Sequence, residues 1–177
     1  MKKIIIFILT ILCVLNVNAR ELKFMGIPVN NTIENIHREL ITKKRFHIMI
    51  EGAWFNQYKG FFYGREVDVR IQFTWKEKKV SNIDVIFTGN GESAEELYEN
   101  LAKDLTQKYD ETGMIPRVSK NVCVWLFDNL DSIHLEWKNS NSVVLSYIND
   151  SNSRKWSDEA LNKYNIKQRK KERLDDL

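Results

Sequence analysis

The side chains best suited to hold a metal or attack a substrate are His37, His47 and His134, together with Cys123. No two of the histidines stand in a His-x-x-x-His or His-Glu-x-x-His spacing, the patterns that bring two ligands to one helix face. The sequence therefore predicts no metal site. Cys123 lies in Val122-Cys123-Val124-Trp125-Leu126-Phe127, apolar on both faces of a strand. A reactive thiolate wants polar, partly exposed surroundings, so Cys123 reads as a small buried hydrophobe. There is no Gly-x-Ser-x-Gly, and no Ser-x-x-Lys at a helix start, which removes the commonest serine-nucleophile patterns. Gly89-Asn90-Gly91 leads toward a helix but lacks the rest of either nucleotide fingerprint. Of the paired carboxylates, Asp175-Asp176 lies in the charged tail, and Glu95-Glu96 sits in the first turn of a helix, where acids complement the dipole. The expectation is no catalytic residue and no cofactor.

The pattern that points to binding is aromatic. Trp54, Phe55, Tyr58, Phe61, Phe62 and Tyr63 place six large rings within ten positions. Rings of this kind anchor protein interfaces, because they remove much apolar area at little rotamer cost, and flat sugar faces also stack on Trp and Tyr. Trp54, Phe55, Tyr58 and Phe62 are the candidate contact residues, with Trp54 and Tyr58 as the stacking pair for a glycan. The alternative is that half of the run enters the core and half braces a hairpin.

The surrounding elements follow from periodicity. Asn31 reads as a helix N-cap with Glu34 three residues later, and Ile33, Ile36, His37, Leu40 and Ile41 share one helix face. His37 on that stripe reads as a packed histidine. From Phe46 the period becomes two. Val67, Val69, Ile71, Phe73 and Trp75 alternate with polar residues, and Lys76-Glu77-Lys78-Lys79 makes a charged turn to a strand at Val80–Phe87. Earlier strands span Phe46–Ile50 and Ala53 toward Tyr63, so the run reads as an antiparallel meander. Ser93 and Glu96 open a second helix with Leu97, Leu101, Leu105 and Tyr109 inside. Strands at 122–127, 133–137 and 143–148 follow, with His134 on a wet face beside Glu136, then a charged helix over about 157–177.

This order predicts an α+β fold: two helix-plus-meander units, 22–88 and 93–149, forming a sheet with helices on one side, plus a C-terminal helix. The shared order raises the idea of an internal duplication. Residues 20–177 read as a single domain. The second meander is apolar on both faces, so its far side calls for a cover. The tail helix, through Trp156, Leu161 and Tyr164, is one candidate and a partner protein is another.

The first residues carry an address. Lys2-Lys3, the apolar run Ile4–Leu15 and Val17-Asn18-Ala19 match a signal peptide of residues 1–19, cut after Ala19. The apolar run is too short to span a bilayer, and Leu12 before Cys13 argues against lipid attachment. The expectation is export to the periplasm or cell exterior, with no stable membrane insertion after cleavage. The 27 Lys and Arg nearly balance the 24 Asp and Glu, and Lys2 and Lys3 depart with the leader. A near-neutral chain offers no electrostatic case for nucleic acid. The basic run Lys167–Arg173 is interrupted by Glu172 and followed by Asp175 and Asp176, as in a solvated helix. One cysteine in the processed chain permits no internal disulfide, so packing alone must hold the core.

Two stretches carry a resemblance. Leu22-Lys23-Phe24-Met25-Gly26-Ile27-Pro28, with the following helix and Phe46, resembles the opening of small uncharacterised exported proteins of gut-type Gram-negative bacteria. Arg169-Lys170-Lys171-Glu172-Arg173-Leu174-Asp175-Asp176-Leu177 is similar to their ends. The layout of helices followed by meanders resembles the β-lactamase-inhibitor-protein type of fold. That resemblance implies a non-enzymatic scaffold that recognises an unidentified protein. Such inhibitors often carry internal disulfides, and this chain departs from that pattern. The second expectation is a module for glycan or another small envelope ligand.

Overall fold

The computed structural model describes residues 21–89, 93–110, 117–127 and 129–175; the leader and Ala19 lie outside them. A small hairpin, β1 (Lys23–Phe24) and β2 (Ile27–Pro28), precedes α1 (Ile33–Lys44). Then come β3 (His47–Glu51), β4 (Phe55–Phe62), β5 (Arg65–Phe73) and β6 (Val80–Thr88). Helix α2 (Ala94–Asp110) leads to β7 (Arg117–Ser119), β8 (Val122–Leu126), β9 (Ser132–Asn139) and β10 (Ser142–Ile148), and α3 (Asp150–Asp175) ends the order. The class is α+β, as expected.

The eight-stranded sheet runs β3-β4-β5-β6-β10-β9-β8-β7, and every pair is antiparallel. Each meander contributes its last strand to the centre, where β6 pairs with β10 through Ile83↔Tyr147, Val85↔Leu145 and Phe87↔Val143. The order is thus symmetric about the central pair. Short turns make the meanders possible. Tyr63 and Gly64, with φ of 54° and 72°, join β4 to β5, the left-handed pair that matches the twist of adjacent strands.

Register assigns the two faces. Tyr58, Val69, Val85, Leu145, Leu135 and Cys123 lie directly opposite one another across the sheet, and all are buried. The next buried row is Asn56, Ile71, Ile83, Tyr147, Ile133 and Trp125. Helix α1 covers one end of this face, with His37 against Tyr58. Helix α2 covers the other, where Tyr98 meets Cys123 at 3.2 Å and its ring faces Trp137. Both helices therefore lie on one side, and the buried apolar side chains form one cluster. Gly60 is required in β4 because a Cβ there would come within 2.4 Å of the Phe46 ring.

Four boundaries differ from expectation. Thr32, rather than Asn31, caps α1, its hydroxyl accepting from the Asn35 amide at 3.4 Å, while Asn31 accepts from Thr32 N–H. Strand β5 ends at Phe73, because Thr74 N–H turns to the Lys79 carbonyl; Trp75 is therefore in a turn rather than on the dry face. Strand β7 pairs with β8 and is absent from the sequence reading. Helix α3 starts at Asp150, seven residues early, because Asn149 caps it by accepting from Asn152 N–H at 2.9 Å. Its run of Asn, Asp and Ser looks like a turn in sequence and serves as a helix start in the fold.

Candidate functional site

The open face of the sheet carries the alternate rows. Lys59, Asp68, Ile86, Val144, Glu136 and Val122 form one, and Gln57, Arg70, Asp84, Ser146, His134 and Val124 the next. None of these residues is buried. At the centre, Asp84 accepts from Ser146 Oγ at 2.7 Å and from Asn82 Nδ2 at 2.8 Å. Aliphatic Ile86, Val144, Val122 and Val124 also lie on this face. His134 lies on this half-buried surface, with its Nε2 3.0 Å from Ser132 Oγ. Burial holds its pKa below the ordinary value, against the pull of nearby Glu136, so the ring is neutral at neutral pH. Ser146 donates directly to Asp84 rather than to an imidazole, so Ser146, His134 and Asp84 do not form a nucleophile-base relay.

One edge of the sheet is unusual. All five residues of β3 are exposed, and Ile48, Met49 and Ile50 present three large aliphatic side chains in succession, Met49 at 59% exposure. A bulge between Ile48 and Ile50 disturbs the pairing with β4. Beyond the bulge Ile50 lies opposite Gln57, placing it on the open face near Phe55. Sequence reading found this strand but not its edge position. The signal was the apolar run, which looks the same in a central strand.

The aromatic run is divided. Tyr58 is completely buried, with its hydroxyl 3.2 Å from Asn56 Nδ2 and from His37 Nδ1. Burial raises its pKa, opposed by the Asn56 hydrogen bond. It is core and cannot meet a ligand. Phe62 is turned the same way, its ring tilted against those of Phe24 and Phe87. Tyr58 is corrected as a surface contact, since strand alternation sends the even-numbered residues of β4 toward the helices, and Phe62 on the same side is half-buried. Phe55 alone of the four faces the open side, beneath the Arg70 guanidinium at 5.6 Å. Trp54 stands before β4, edge-on to Trp75 at 4.9 Å. Phe61 is 67% exposed. The fold thus removes Tyr58 from the Trp54–Tyr58 stacking pair.

Of the three helix residues expected to cover the sheet, Trp156 is half-buried. The start of helix α3 is tied by Asp131, which accepts from Asn149 Nδ2, Asp150 N–H and Asn129 Nδ2, and by Asn152 Nδ2 donating to the Val80 carbonyl at 2.8 Å. Farther along, Glu159 accepts from the backbone N–H groups of Trp75 and Lys76, and Lys155 pairs with Glu77. Leu161 and Tyr164 remain exposed, which corrects their expected role as a cover.

Cys123 is buried and unpaired to any other cysteine. Burial foremost, then the Cys123 thiol beside it, pushes the Tyr98 hydroxyl upward in pKa. No group of three His, Cys, Asp or Glu side chains converges among the described residues. No described helix is long and apolar enough to cross a membrane. A cleft of about 620 Å³ between the β4–β5 hairpin, the start of α2 and the β9–β10 turn is lined by charges of both signs, including Lys59, Arg65, Glu66 and Asp68. The fold and its exposed features thus define an α+β domain with a one-sided sheet and an apolar edge. No protein-family model, curated protein or solved structure matches the chain.

Proposed function

We propose that this is a non-enzymatic binding module, exported to the periplasm or cell exterior, that recognises another protein through the β3 edge and the adjoining open face. The observation that carries the reading is the exposed run Ile48-Met49-Ile50 at the sheet edge, with Ile50 on the same open face as Phe55. Contiguous apolar surface of this kind marks interaction sites. The bulge interrupts the regular spacing of outward backbone groups, the device by which sheet edges resist strand addition. The contact is accordingly one of side chains, with Ile50 and Phe55 as anchors and Arg70 at the rim. The signal-peptide pattern of residues 1–19 supports the compartment.

The test is cross-linking of purified protein in an envelope extract, with native protein and Ile50→Lys run in parallel. Ile50 is 47% exposed at the sheet edge, so the variant should keep its melting temperature to within a few degrees. One reproducible partner captured by native protein and lost with Ile50→Lys supports the reading. Capture undiminished by the variant, or no partner at all, refutes it.

A further inference from the structure

The Trp54–Trp75 corner does not belong to the surface just proposed. It is built by the first meander. The Trp54 carbonyl accepts from Phe73 N–H at 3.0 Å, and the turn carrying Trp75 is closed by Thr74 N–H to the Lys79 carbonyl at 2.9 Å. The indoles meet at 86°, with centroids 4.9 Å apart. This leaves a notch with two π faces, and Trp75 is 44% exposed. Into it α3 inserts Lys163, whose Nζ lies 3.9 Å from the Trp75 centroid and 4.6 Å from that of Trp54. No ion pair to Lys163 is formed among the described residues. Two indole faces around one ammonium are the arrangement that selects organic cations, through the negative face of each ring.

The contact that fills this notch is lightly held. Lys163 is itself exposed, as are all of residues 161–167. The polar supports nearby are the Lys155–Glu77 pair, about half exposed on both sides, and Glu159 on the Trp75 and Lys76 amides, while half-buried Trp156 and Ala160 of α3 line the same pocket as Trp54. Exposed pairs of this kind contribute little. The firm attachment of α3 is farther back, at Asp131 and Asn152.

We propose that the Trp54–Trp75 notch is a binding site for an organic ammonium group, and that Lys163 occupies it from within as a displaceable surrogate. Two sources share that chemistry, a lysine side chain of a partner protein and a quaternary ammonium of a small molecule. A ligand cation competes with Lys163, and its binding frees the distal part of α3.

The test uses the purified protein and its Lys163→Ala variant, labelled for indole N–H resonances. Each is titrated at matched ionic strength with tetramethylammonium chloride and, separately, with Nα-acetyl-lysine amide. The variant should show saturable shifts of the Trp54 and Trp75 signals. Its affinity should be roughly five-fold above that of the parent, the scale of one partly exposed cation–π contact. Adding Trp54→Leu to Lys163→Ala should abolish the response. Response to the lysine derivative alone assigns a protein source, and response to tetramethylammonium a small-molecule source. No saturable response to either cation, or an unchanged response with Trp54→Leu, overturns the proposal. Melting curves for each variant verify the fold, and Trp75→Leu provides a second removal of the notch should Trp54→Leu lose structure.

Discussion

Tyr58 separates a core role from a contact role for the aromatic run. Its ring is completely buried beneath α1. Truncating a buried aromatic to alanine costs about 3–5 kcal/mol. Here it also strips a hydrogen-bond partner from Asn56, itself 4% exposed. In a domain of this size each kcal/mol lowers the melting temperature by roughly 2–4 °C. Tyr58→Ala should therefore melt about 10 °C or more below the parent. Tyr58→Phe keeps the ring and loses only the hydroxyl. The buried Asn56 Nδ2 is left without its acceptor, so the cost should be about 1–3 kcal/mol. Phe55→Ala, on the open face, should fall within about 1 kcal/mol of the parent while weakening partner capture. The assay is thermal unfolding followed by circular dichroism, with capture measured on whatever remains folded. A Tyr58→Ala protein that melts like the parent yet loses its partner would refute the burial argument.

Other perturbations test the frame that holds these surfaces. Gly60→Ala should destabilise by about 1–3 kcal/mol in urea unfolding, because its Cβ would meet the Phe46 ring at 2.4 Å. Phe46→Leu in the same chain should restore part of the loss, and strictly additive effects would count against the contact. Asp131→Ala should cost about 2–4 kcal/mol, by orphaning donors at Asn149 and Asp150. It should also speed hydrogen exchange in the first turn of α3, and unchanged protection there would be the contrary result. Burial, foremost among the causes, raises the pKa of Tyr58, Tyr98 and Tyr147 above the ordinary 10.0. The unfolded chain ionises them first, so stability is intact below about pH 10 and falls as pH rises toward the folded values. A urea midpoint that stays flat from about pH 9 to about pH 11 would contradict this.

Much of the frame was legible in residue order, because its causes are local. The stripe of Ile33, Ile36 and Leu40 defines α1, and Ser93 accepts from Glu96 N–H at the start of α2 as a capping pattern requires. The alternation from Val67 to Phe73 gives β5 its two faces. These signals depend on a few neighbouring side chains and survive without knowledge of the fold. Cys123, read as buried from its apolar neighbours, is 4% exposed.

The candidate surfaces depend on long-range pairing, which no local pattern contains. Apolar Ile48-Met49-Ile50 reads alike in a central strand and at an edge, and only the strand order leaves β3 without an outer neighbour. Tyr58 and Phe55 look equivalent as aromatics near one another in sequence. Register sends one beneath α1 and the other to the open side, because a side chain's face follows from the parity of its position in a paired strand. Trp54, Trp75 and Lys163 are widely separated along the chain and meet only when α3 folds back on the β5–β6 turn. By itself the sequence determined the helices α1 and α2 and the longer strands, since periodicity and capping act over a turn or two of backbone. The tertiary structure alone decided which apolar side chains are left facing solvent, since burial is settled by the elements that pack across the sheet.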